Sequence, residues 1–202
     1  MKLSRTLLVM VSACALLVPA LAAEAFTQWL QRPPAEPRLR IEWLAIGLVA
    51  VGFAVYLGLN DVIYGSPFEF LRIQHEHWYK SLAAPWDSIS GAIGWFHSDK
   101  PDYVLMYGAM ELLFVAIGLA GTIYAAFRFR PSWFVWMAGN MLLFVSTSFL
   151  LSTPRYALTL FPLFVSLALV SARTWVLVLL SAVSIVGLAY FAGRFATGVW
   201  AF

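Results

Sequence analysis

Charge is scarce in this 202-residue sequence: Asp, Glu, Lys and Arg together make up 11% of it. A soluble domain of this length carries about 25% charged residues, so too little polar surface remains to coat a water-facing exterior. Cysteine is nearly absent. The single Cys14 lies inside an apolar stretch and excludes an internal disulfide framework. No run of basic residues points to nucleic acid, and no P-loop, dinucleotide fingerprint or Ser-His-Asp set is present. Internal repeats and low-complexity tracts are also missing, so the chain reads as one domain, residues 1–202.

Apolar mass is abundant. Hydrophobic residues are 62% of the chain and aromatics 16%, with a mean hydropathy of +0.82. Lipid is the solvent such a composition suits, and nine Trp with eight Tyr suit aromatic belts at two interfaces. The fold expected is an all-α, polytopic membrane bundle with about six spans, near residues 5–23, 41–60, 104–127, 132–151, 157–172 and 174–198. Residues 1–23 also fit a cleaved signal peptide, with a basic start and a small-residue end; five further spans favour the helix.

Arg32, Arg38, Arg40, Arg128, Arg130 and Arg173 fall on one side if the spans alternate, which makes that side cytoplasmic and the long loop 61–103 non-cytoplasmic. Lys2 and Arg5 vote the other way. Within the loop, Ser66-Pro67-Phe68-Glu69 has the pattern of a helix start with Ser66 as cap. Phe68, Leu71, His75, Trp78 and Leu82 then share one face, while Glu69, Arg72, Glu76 and Lys80 share another with Glu–Arg and Glu–Lys spacings. That pattern predicts an amphipathic helix lying in the interface, followed by a second short helix after Pro85-Trp86.

Ionisable residues at membrane depth are costly, which marks them as functional candidates. Glu111, Arg155 and Arg194 all fall toward the face of the long loop, where two arginines suit an anionic headgroup; the bland alternative is a structural Glu111–Arg155 pair. Asn140 is expected to bond between helices. His75-Glu76-His77 lacks the spacing of a zinc helix, so no metal or other cofactor is expected.

Two stretches resemble a known family. Gly65-Ser66-Pro67-Phe68-Glu69-Phe70-Leu71 with Gln74, Trp78 and Pro85-Trp86 is similar to a luminal loop of the PIG-V-like mannosyltransferases, with Ser66 where that family has Asp. Ser152-Thr153-Pro154-Arg155-Tyr156 followed by Phe161-Pro162 resembles the same family's Ser-x-Pro-Arg-Tyr…Phe-Pro signature. Arg194 to Trp200 is similar to its C-terminal end, so the resemblance covers about residues 41–202. It implies a C-type glycosyltransferase that takes a sugar from a polyprenyl-phosphate donor on the non-cytoplasmic side. The membrane would be the inner membrane in a bacterium or the endoplasmic reticulum in a eukaryote.

The residues so implied for lipid phosphate or substrate are Arg155, Tyr156, Glu111, Arg194, Gln74 and Trp78. The family's acidic catalytic motif has no counterpart: loop 26–40 holds only Glu36 beside its arginines, which leaves the catalytic residues unknown. The expectation is therefore the C-terminal part of such an enzyme, with room for a separate chain supplying the N-terminal half. A non-catalytic membrane subunit that binds lipid-linked sugar, or a small transporter, stays open beside it.

Overall fold

A computed structural model describes residues 3–33 and 41–199, with side chains from Leu16 onward except that of Glu42. Glu36, Arg38, Arg40 and Trp200 lie outside the described residues. Among the described residues ten α-helices follow one another: α1 (Leu3–Gln31), α2 (Ala45–Tyr64), α3 (Glu69–Trp78), α4 (Pro85–Gly94), α5 (Pro101–Tyr103), α6 (Met110–Arg128), α7 (Pro131–Val145), α8 (Thr153–Tyr156), α9 (Phe161–Val170) and α10 (Thr174–Ala196). A π-helical turn, Val104–Ala109, joins α5 to α6, so Pro101–Arg128 runs as one helix of 28 residues.

The expectation of an all-helical protein holds, and several helices are long and apolar enough for a membrane. They are Ala45–Tyr64, Pro101–Arg128 and Thr174–Ala196, with a fourth span if the bent pair Thr153–Thr159 and Phe161–Val170 counts as one. Leu48, Val51 and Val55 on α2 and Leu177, Leu179 and Ile185 on α10 are each more than half exposed, an arrangement that lipid accommodates and water does not.

Three boundaries differ from the sequence expectation. α1 continues past residue 23 to Gln31, so the first part of the expected loop 26–40 is helix. The expected span 132–151 stops at Val145, and residues 146–152 leave the helix. The expected span 157–172 is broken: the chain turns by 84° between Thr159 and Phe161. The straight part, α9, has 10 residues, or about 15 Å at 1.5 Å per residue, about half of a hydrocarbon core. Pro162 near the start of α9 has no N–H to continue the preceding turn, and fully buried Leu160 fills the corner. The indole N–H of Trp136 donates to the Thr159 carbonyl at 3.0 Å, which satisfies a group the break leaves without a helical partner.

The long loop also starts differently. α2 ends at Gly65, which takes a left-handed φ of 75°. Ser66 does not cap α3. The helix begins three residues later at Glu69, and the Glu69 carboxylate turns forward to Arg72 instead of back to Ser66. Arg72 also pairs with Glu76 at 2.9 Å. Glu69 is buried, whereas Phe68, Leu71, Arg72 and Glu76 are all exposed, so α3 lies at the surface of the bundle. α4 follows after Pro85, where the Asp87 carboxylate accepts the Ala84 N–H at 3.1 Å.

The core lies where α6, α7 and α9 meet. Val115, Ala125, Met137, Met141, Phe144, Leu160 and Leu163 are buried together. Glycine permits the approach: a Cβ at Gly118 would stand 2.3 Å from the Met141 sulfur, and one at Gly121 would stand 2.8 Å from Leu163 Cδ1. α1 packs on α7 in the same way, with Leu16 set into the space beside Gly139.

These contacts predict that Gly121→Leu destabilises the protein by about 1–3 kcal/mol through overpacking. Gly187→Leu, where a Cβ meets nothing within 4 Å, should leave stability unchanged. Thermal melts in detergent check both; equal melting of the two variants would contradict the packing.

Candidate functional site

The site grows from one buried acid. Glu111 sits in the first turn of α6, just past the π-helical turn, and is fully buried. Its carboxylate does not meet Arg155. The backbone N–H of Ser152 donates to Oε1 at 2.6 Å, and that of Thr153 donates to Oε2 at 2.9 Å. These are the first amides of the short turn that carries Pro154, Arg155 and Tyr156. Ser152 adopts a left-handed φ of 66°, a conformation that a residue with a side chain holds only where its surroundings enforce it. The two amide bonds to Glu111 supply that constraint.

The segment before this turn is held from the other side by the long loop. The Ser148 N–H donates to the Ser81 carbonyl at 2.9 Å, and the Ala83 N–H to the Ser146 carbonyl at 3.3 Å. The Ser88 hydroxyl donates to the Val145 carbonyl at 2.6 Å, closing the end of α7. Non-helical backbone in an apolar bundle is tolerated where protein satisfies it, and the Ser146, Ser148, Ser152 and Thr153 backbone groups find such partners.

Lys80 completes the site. Tyr79 ends α3 with a left-handed φ of 53°, which swings Lys80 away from Glu76 and under the 146–156 segment. The expected Glu76–Lys80 pair therefore does not form. The ammonium donates to the Leu151 carbonyl at 3.5 Å and lies 5.5 Å from the ring centres of both Phe149 and Tyr156. It makes no ion pair among the described residues. Burial lowers the Lys80 pKa below its ordinary value, and the charge of Glu111 opposes part of that shift.

A cleft of about 520 Å³ opens between α3 and the second half of α7. Phe70, Leu71, Leu82, Leu143 and Phe144 give it apolar walls; Gln74, Lys80, Ser81, Asn140, Thr147 and Tyr156 give it polar groups. Two of the residues singled out from the sequence, Gln74 and Tyr156, line it. Glu111 lies behind it, holding the turn that bears Tyr156. Arg155 is exposed beside Tyr156, outside the lining, without an ion pair or hydrogen bond among the described residues. Trp78 is half-buried at the end of α3 and outside the lining. Arg194 is engaged elsewhere: it pairs with Asp102 at 2.9 Å and tethers the end of α10 to the head of the Pro101–Arg128 helix. Asn140 donates to the Trp136 carbonyl of its own helix at 2.8 Å, not to a neighbouring helix, and faces the cleft.

Lys80 and the Ser152–Thr153 amides are the parts that sequence reasoning missed. Nothing local marks Tyr79 as a helix end, and backbone amides have no sequence signature. Compared with known proteins, the chain matches no family model, no curated protein and no solved structure.

Lys80 makes a testable pH signature. An unfolded lysine titrates near its ordinary 10.5, above the folded Lys80. Between the two values the unfolded state binds more protons, so stability rises with pH across that window. The melting temperature of the wild type should therefore climb relative to Lys80→Met as pH goes from neutral to 10.5. Parallel profiles would show that Lys80 is not desolvated.

Proposed function

We propose that this chain holds a polyprenyl-phosphate-linked sugar in the α3–α7 cleft, as the donor-binding part of a PIG-V-like mannosyltransferase acting on the non-cytoplasmic side of a membrane. In this reading α1, α7 and the bent α8–α9 segment join the longer apolar helices as a bundle of six spans, with α3 in the outer interface.

One observation carries the proposal: a half-buried ammonium with no ionic partner, Lys80, set in a cleft with apolar walls. A desolvated cation without a direct ion pair is costly, and an anionic ligand in contact with it relieves that cost. Tyr156 and Gln74 offer a hydroxyl and an amide to the same ligand, while Phe70, Leu71, Leu143 and Phe144 suit an isoprenoid chain. Arg155, exposed beside Tyr156, adds a guanidinium fork within the stretch Ser152–Tyr156 that carries the family resemblance.

A second reading is a non-catalytic subunit that presents the lipid-linked sugar to another chain. It is favoured by the cleft lining, which contains no Asp or Glu among the described residues, and by Glu111, whose two oxygens are engaged by backbone. In either reading the lining supplies no carboxylate as general base for sugar transfer among the described residues, although the His75 imidazole lies within it.

Binding of a polyprenyl phosphate and of the corresponding neutral polyprenol, measured on the full chain in nanodiscs, tests the proposal. The phosphate should bind more tightly, and Lys80→Gln should weaken it about 10- to 100-fold while barely changing the alcohol, the range for a lost charge-assisted bond. Arg155→Gln should weaken phosphate binding less. Equal affinity for phosphate and alcohol, or an unaffected Lys80→Gln, would overturn it. Sugar transfer by the purified chain alone would decide for the enzyme over the presenting subunit.

A further inference from the structure

A second concavity lies at the opposite end of α7, where the last turns of α1 meet the α6–α7 turn. Its volume is about 650 Å³, and its polar lining includes Thr27, Gln28, Gln31, Arg128 and Arg130, with Trp133 at its side. At 1.5 Å per residue, the 15 residues of α7 put about 20 Å between it and the cleft.

Its charges are unequal in their engagement. Glu24 accepts from Arg130 at 2.7 Å, from the Ser132 hydroxyl at 2.8 Å and from the Gln28 amide at 3.2 Å. Glu24 and Arg130 thus neutralise each other. Arg128 has no hydrogen bond or ion pair among the described residues and is exposed. It leaves the concavity with one uncompensated positive charge.

Exposed apolar side chains lie next to it on α6. Phe127, next to Arg128, is 82% exposed, and Ile123, one turn earlier on α6, is 60% exposed. An apolar stripe that faces outward and ends at a free arginine beside a polar hollow matches an amphiphile with an anionic head. We propose that this concavity seats the phosphate headgroup of an anionic phospholipid, with its acyl chains lying along Ile123 and Phe127. Arg128 supplies the bidentate fork for phosphate, and Gln31 and Trp133 border the glycerol. A free phosphate ion would make no use of the stripe. The proposal does not depend on the α3–α7 cleft or its ligand.

Native mass spectrometry of the full chain, offered phosphatidylglycerol and phosphatidylcholine with the same acyl chains, tests it. Phosphatidylglycerol should be retained in preference. Arg128→Gln should lower its retention about fivefold, the effect of one basic residue at an anionic surface. Glu24→Gln should raise retention, because it frees Arg130. Lys100→Gln, at the far end of the Pro101–Arg128 helix, should not change it. Equal retention of the two lipids by the wild type would overturn the site, as would wild-type retention by Arg128→Gln or an equal loss in Lys100→Gln. Displacement of the lipid by soluble glycerol phosphate at equal concentration would also overturn it, since the ligand would then be a free anion.

Discussion

Two backbone amides bound to a buried carboxylate organise the end of this protein where α3 meets α7. Glu111 is carried into the interior by a long apolar helix, and the Ser152 and Thr153 N–H groups converge on it. Each partner would be costly alone: an acid without donors, or a left-handed turn without acceptors, inside an apolar bundle. Together they let the chain stop being helical after Val145 and begin again at Thr153, with Tyr156 turned toward α3. The cleft, the position of Lys80 and the sharp bend before α9 all follow from that stop.

The long loop is the other half of the construction. Ser81, Ala83 and Ser88 exchange hydrogen bonds with Val145, Ser146 and Ser148, so the loop covers the end of α7 as a lid of polar groups. Apolar contact sets the spacing of the helices beneath, where glycines on α6 admit the side chains of α7 and α9. The result is a bundle whose lower part is packed by size and whose upper part is wired by hydrogen bonds. A binding site suits the wired end, since polar groups there are already paid for by fixed partners.

Much of this was legible in the sequence, and the limits have physical causes. The apolar runs behind α2, the Pro101–Arg128 helix and α10 declare themselves because lipid-facing helices need no tertiary contact to be recognised. Pro85-Trp86 marked the start of α4, because proline is tolerated in the first turn of a helix. By contrast, Phe149-Leu150-Leu151 reads as the continuation of a span, and it is distant pairing, of Ser148 with Ser81 67 residues away and of the Ser152 and Thr153 amides with Glu111, that takes the backbone out of the helix there. A Glu111–Arg155 pair stood as the alternative to a headgroup site because opposite charges at one membrane face invite pairing. Backbone amides won instead, since they sit closer and need no side-chain ordering. Lys80 was read as one of a row of helix charges until Tyr79, with no turn signature of its own, ended the helix one residue too soon for that row.

Amide hydrogen exchange at Ser152 and Thr153, compared between the wild type and Glu111→Gln in the same detergent, tests most directly whether the carboxylate holds this end together. The wild type should protect both amides to nearly the level of the α6–α7 core, and Glu111→Gln should lose that protection across residues 146–156 while the α6 and α7 amides stay protected. Fast exchange at both amides in the wild type, or unchanged protection in Glu111→Gln, would contradict it.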